Sequence, residues 1–152
     1  MKFEQYKLVK EHALAAVQAA GVSLPEAGSM NPVLLAYVGD VVFSLYVRLR
    51  FLAASSHVRV IHDLSSKAVS AVYQAKALAA LMDTLNEKEL AVVKRGRNTK
   101  SSVPKSASVH EYRMSTAFEA LIGWLFLSNE DERLGTIMEQ AFNIIVDDFK
   151  TK

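Results

Sequence analysis

The sequence predicts an all-α fold, and three observations carry that prediction. Apolar residues recur at the helical period in nearly every segment, and no stretch alternates cleanly as a half-buried strand would. The segment boundaries also carry helix-start signals: Asn31 before Pro32, Asn86 three residues before Glu89, and Asn129 three residues before Glu132. The first helix is expected roughly from Phe3 to Ala20, stopping at Gly21, with a linker holding Pro25 and Gly28 after it. Asn31 can cap the second helix and Pro32 suits its first position; it runs to about Ala53. Ser55-Ser56-His57 breaks the pattern, and a third helix is expected from about His62 to Met82. Asn86 and Glu89 open a short fourth helix that ends near Gly96. Residues 97–109, with Asn98, Ser101, Ser102, Pro104, Ser106 and Ser108, read as a loop. The fifth helix spans about Glu111 to Leu127, and the sixth, opened by Asn129 and Glu132, runs to about Phe149.

The chain has 152 residues, of which 51% are hydrophobic and 22% charged, so one domain with a real core is expected and disorder of the whole chain is excluded. There is no cysteine, which removes disulfides, thiolate zinc sites and thiol catalysis. No apolar run is read as reaching the ~18 residues of a membrane span, and the N-terminus MKFEQYKLVKEH has no signal-peptide core. A soluble, cytoplasmic protein with no membrane partner is the expectation. The net charge is +2, but it is unevenly spread. Between Lys94 and Arg113 six basic residues face one acid, Glu111; between Asn129 and Asp148 six acids face one base, Arg133. A basic block in a near-neutral protein suits contact with a polyanion, and equally a solvated loop with no partner. The four histidines show no zinc spacing, and the acids of the last helix read as a solvated face.

Chemistry first shows in two apolar helices that carry one acid each. From Pro32 to Tyr46 (PVLLAYVGDVVFSLY) the sole charge is Asp40; from Met114 to Leu127 (MSTAFEALIGWLFL) it is Glu119. Apolar groups point in nearly every direction, as in a central, buried helix. A buried carboxylate needs a partner or a proton. Gly39 precedes Asp40, and Gly123 lies one turn after Glu119. A mid-helix glycine costs about 1 kcal/mol relative to alanine, which makes sense where two backbones approach closely. If the two helices cross at these glycines, Asp40 and Glu119 face one another across a site suited to a hard cation such as Mg²⁺. Pairing of each acid with an Arg or Lys of another helix, or a place at the helix edge in water, is the alternative.

The segments LAYVGDVVFSLYVR (Leu35 to Arg48), KRGRNTKS (Lys94 to Ser101) and YRMSTAFEALIGWLFL (Tyr112 to Leu127), with HDLSSKAVSAVYQA (His62 to Ala75) and the PKS at Pro104, resemble the catalytic domain of the ribonuclease III family. The resemblance is closest to its small bacterial branch, Mini-ribonuclease III. Three motifs in order at family spacing cover most of the chain from Leu35 to Leu127. The length also fits a branch without a separate double-stranded RNA-binding domain, so that residues 1–152 form a single catalytic domain, with a helix within 1–30 at its start.

The resemblance implies an all-helical, homodimeric, Mg²⁺-dependent endonuclease that cuts double-stranded RNA and matures the ends of precursor 23S ribosomal RNA. It leaves products with 5′-phosphate and 3′-hydroxyl ends. Asp40 and Glu119 take the catalytic, metal-holding positions. Larger family members have two further acids, at positions held here by Ala36 and Thr116. That departure leaves the number of metal ions open, and leaves as an alternative a non-catalytic, ribonuclease III-like module that binds RNA in ribosome assembly. Double-stranded RNA is read through its shape, phosphates and 2′-hydroxyls. Arg95, Arg97, Asn98, Lys100 and Lys105, with Lys67 and Arg113 beside them, are the expected RNA contacts.

Overall fold

A computed structural model describes residues 4–99, 102, 105 and 108–151. The described residues form α-helices joined by turns: α1 (Glu4–Ala19), α2 (Pro32–Phe51), α3 (Val58–Ala68), α4 (Ala71–Leu81), α5 (Glu87–Arg97), α6 (Val109–Leu127) and α7 (Asp131–Lys150), with 3-10 turns at Ala27–Ser29 and Met82–Thr84. The fold is all-α, as the periodicity predicts.

Local chemistry explains most of the boundaries. Gly21, at φ 74°, ends α1 in the left-handed conformation that glycine adopts freely. The Asn31 side chain accepts from the Val33 amide at the start of α2, and Pro32 occupies the first turn. Asn86 and Glu89 form the expected capping box of α5. Ser108 and Glu111 form a second one, which starts α6 at Val109 rather than Glu111.

Two helix boundaries differ from expectation. The helix expected over His62 to Met82 is two helices, because Ser70 adopts an extended backbone between α3 and α4. The apolar period runs on through Val69 and Ser70, so nothing in the pattern marks the break, which redirects the chain and lays α4 against α6. Asn129 does not cap the last helix. It sits at φ 59° and closes the end of α6, where the Glu130 amide donates to the Leu125 carbonyl at 3.0 Å. Its Oδ1 accepts from Lys10 Nζ, whose ammonium also donates to the Phe126 carbonyl and lies over the Phe126 ring. Lys10 is 5% exposed, and through it α1 is tied to the end of α6.

α6 is the centre of the molecule, packed by α2, α4, α5 and α7, with Ala117, Phe118, Ala120, Leu121, Ile122 and Leu125 buried. The expectation of a buried, all-round apolar helix holds for α6 and fails for α2. The face of α2 carrying Leu34, Tyr37, Val41 and Leu45 is exposed, Tyr37 by 75%. By length and composition α2 could cross a membrane, contrary to the sequence reading; its other face builds the core against α6. The acids of α7 are also less solvated than expected. Glu139 pairs with Arg50 and Tyr46, and Asp148 with Lys76.

Candidate active site

The α2–α6 crossing builds the site. A methyl group added at Gly39 would sit 1.8 Å from the Glu119 carbonyl oxygen, and one at Gly123 would sit 1.9 Å from that of Leu35. The two backbones therefore touch, and the glycines are there because nothing larger fits. Asp40, the next residue after Gly39, is carried to the edge of this crossing, where its side chain reaches that of Glu119. Asp40 is exposed, whereas Glu119 is partly buried.

The burial of Glu119 sets its protonation. Burial pushes the Glu119 carboxyl up to about 8, and the negative charge of Asp40 adds to that shift; the Gln74 amide opposes it by favouring the charged form. Two like charges in side-chain contact are tolerated when a proton or a cation lies between them.

A stability profile follows. An unfolded glutamate ionises near 4.5, whereas folded Glu119 holds its proton to about 8. Between those values the native state binds more protons than the unfolded chain, so its stability falls as pH rises, by up to about 1.4 kcal/mol per pH unit. Below 4.5 and above 8 this contribution is flat. Melting temperatures recorded in chelator across this range show the decline in the wild type, and the difference curve against Glu119→Gln isolates it.

Two further side chains border the carboxylates. Gln74 of α4 is fully buried, and its Oε1 accepts from the buried Ser115 hydroxyl, one turn before Glu119 on α6. Its Nε2 is buried and comes close to Glu119 without a partner in full hydrogen-bonding geometry. Sequence reasoning passed over Gln74. The signal was present in a polar residue on the face of α4 that also bears Ala77, Leu78 and Leu81. Ala36 is buried one turn before Asp40, and Thr116 donates its hydroxyl to the Tyr112 carbonyl at 3.1 Å. Among the described residues no three or more His, Cys, Asp or Glu come together.

The basic residues lie on several elements. Gly96 closes onto α6 at Ala117, so the last turn of α5, with Arg97 and then Asn98, is held within one turn of Glu119 along α6. Arg97 and Asn98 are exposed, as are Lys105 and Arg113. Arg95, one of the expected RNA contacts, is also exposed. Its guanidinium donates to the Gly28 and Met30 carbonyls at 3.1 and 2.8 Å, fixing the entry to α2. Lys67 stretches its ammonium over the rings of Phe149 and Tyr73. Lys100 lies outside the described residues.

Residues 34–130 match the family described as Ribonuclease III domain. The chain is 48% identical over 117 residues to Mini-ribonuclease 3 of Brevibacillus brevis, covering 76% of this chain and 87% of that protein. It is 40% identical over 120 residues to Mini-ribonuclease 3 of Staphylococcus aureus, covering 76% and 90%. A crystal structure of a Fusobacterium nucleatum protein superposes with a TM-score of 0.70 at 27% identity, over 73% of this chain and 92% of that one.

Proposed function

Since the chain belongs to the ribonuclease III family and is an endoribonuclease, we propose that it cuts double-stranded RNA as a Mg²⁺-dependent homodimer, with precursor 23S ribosomal RNA ends as its substrate. Members of this family generally require a divalent metal ion and act on double-stranded RNA as dimers. The observation that carries the proposal for this chain is the Asp40–Glu119 contact at the Gly39–Gly123 crossing.

The donor set fits Mg²⁺. It offers hard carboxylate oxygens in a chain without cysteine, and Mg²⁺ is commonly held by one or two carboxylates with water and substrate phosphate completing its shell. Asp40 and Glu119 would hold the ion. When bound, it neutralises charge on the phosphodiester and makes a water more acidic. Asp40, exposed at the lip, meets the substrate side. Glu119, anchored in α6, is kept from swinging by the buried groups around it. Arg97 and Asn98 orient the duplex by its backbone, next to the acids and on a helix end fixed by Gly96. Water adds at phosphorus as the bond to the 3′ oxygen breaks; the water gives up a proton to solvent and the departing oxygen takes one up, leaving 5′-phosphate and 3′-hydroxyl ends.

The uncovered face of α2 supports the dimer. Leu34, Tyr37, Val41 and Leu45 form an apolar strip alongside Asp40, and a two-fold partner on that strip would bring two cutting centres to the two strands of a duplex.

Labelled duplex RNA incubated with Mg²⁺ or with EDTA tests the activity in one gel; intact RNA in both lanes would leave a binding module. Arg97→Ala and Lys100→Ala are expected to weaken binding to unrelated duplexes alike, because phosphate contacts carry little sequence information. Each should flatten the dependence of log affinity on log salt by up to about one unit. Gel shifts at several salt concentrations read both effects, and an unchanged slope would remove these residues from the interface.

A further inference from the structure

Gln74 is a fully buried amide with one end satisfied and the other end open toward the acid pair. Its Oε1 accepts the Ser115 hydroxyl, while its Nε2, with two N–H groups, faces Glu119 without reaching hydrogen-bonding geometry. A buried N–H left without an acceptor costs about 1–3 kcal/mol. An apolar residue of similar volume would avoid that cost, as Leu78 does one turn later on the same face. Turning the amide over would be worse. With Glu119 ionised to hold a cation, Oε1 would then face the carboxylate oxygens, acceptor against acceptor, and the Ser115 proton would lose its acceptor.

Resting on the two-carboxylate reading of the site, we propose that Gln74 is a positioning residue for Glu119. Its Nε2–H donates to the Glu119 carboxylate when the cation is held, and Ser115, by donating to Oε1, fixes which end of the amide points at the acid. The relay runs from Ser115 on α6 through Gln74 on α4 back to Glu119 on α6, so it locks the carboxylate from the neighbouring helix. One oxygen of Glu119 is thereby fixed and the other is turned toward Asp40. This is the role that partners behind metal-binding carboxylates play, where removal typically lowers metal affinity about 10–100-fold. With two carboxylates and neither Ala36 nor Thr116 offering a third, each remaining ligand must be well oriented, and a buried amide can do this without adding charge.

The test compares Gln74→Met, which keeps the volume and removes the donor, and Ser115→Ala, which frees the amide to turn, with the wild type. Mg²⁺ binding to RNA-free protein is measured by calorimetry, and the Mg²⁺ dependence of cleavage is measured beside it. Gln74→Met is expected to bind Mg²⁺ at least tenfold more weakly and Ser115→Ala about threefold more weakly, both at wild-type helix content. Ser115→Thr, which restores the hydroxyl, is expected to recover binding. Mg²⁺ affinity within twofold of the wild type in a folded Gln74→Met protein would overturn the proposal, leaving Gln74 as packing. If Gln74→Met does not fold, the contrast between Ser115→Ala and Ser115→Thr decides in its place. The underlying reading fails separately: wild-type Mg²⁺ binding that is unchanged in Asp40→Asn and Glu119→Gln would place the cation elsewhere and overturn both.

Discussion

Asp40→Asn and Glu119→Gln are each expected to lower cleavage of duplex RNA by on the order of 10³-fold or more while leaving helix content and RNA binding close to wild type. Each substitution removes one of the two carboxylates that converge at the α2–α6 crossing. Losing several kcal/mol of charge stabilisation at a phosphodiester corresponds to a rate loss of that size, at one factor of ten per 1.36 kcal/mol. The two variants should differ in stability. Glu119 is partly buried beside a like charge, so Glu119→Gln is expected to melt higher than the wild type in chelator above pH 5, whereas exposed Asp40 should contribute little. Single-turnover cleavage and thermal melts, each with and without Mg²⁺, read both effects. A wild-type rate in either variant would remove that residue from the site. Mixed dimers also bear on the proposal: wild-type chains co-folded with excess Asp40→Asn chains should nick one strand of a duplex, and full double-strand cuts from such heterodimers in one binding event would separate the strand cuts from the subunits.

Gly39→Ala is expected to be the most destabilising single-methyl change in the molecule, with Gly123→Ala close to it. At each position the new carbon would lie within 2 Å of a backbone carbonyl oxygen on the partner helix, where no side-chain rotation relieves the clash. The helices must part, which strips Phe43 and Phe118, stacked edge-to-face at 4.9 Å, of their packing. Overpacking commonly costs about 1–3 kcal/mol, and a clash with backbone belongs at or above the top of that range. Gly28→Ala is the control, since no atom lies within 4 Å of the added methyl group, and its melting temperature should match the wild type. Urea or thermal unfolding of the three variants ranks them directly, and a Gly39→Ala protein as stable as Gly28→Ala would mean that the helices do not cross as described.

The helix ends show how far local chemistry reaches. Gly21, Asn31 with Pro32, and the Asn86–Glu89 box act within four residues of the chain, and each boundary sits where its residues place it. The sequence reading took Asn129 as a cap because the same residue type that caps a following helix also tolerates the left-handed turn ending a preceding one; in the fold it takes the turn, and its side chain accepts from Lys10, more than a hundred residues away. The break at Ser70 was equally invisible, since a change in helix direction leaves the apolar period on both sides intact.

The site divides in the same way. The sequence by itself determined the all-α class, the two apolar helices with one acid each, and the glycines that let those helices touch, because composition and period are properties of each helix alone. Only the tertiary structure decided that the acids differ in burial, that one face of α2 is left uncovered, that Arg95 is occupied with backbone carbonyls, and that Gln74 comes up behind Glu119. Each of these depends on which residues from distant parts of the chain share one low-dielectric space. Burial, and with it the Glu119 proton, is set by the packing of α2, α4 and α6 together, which no single helix carries in its own residues.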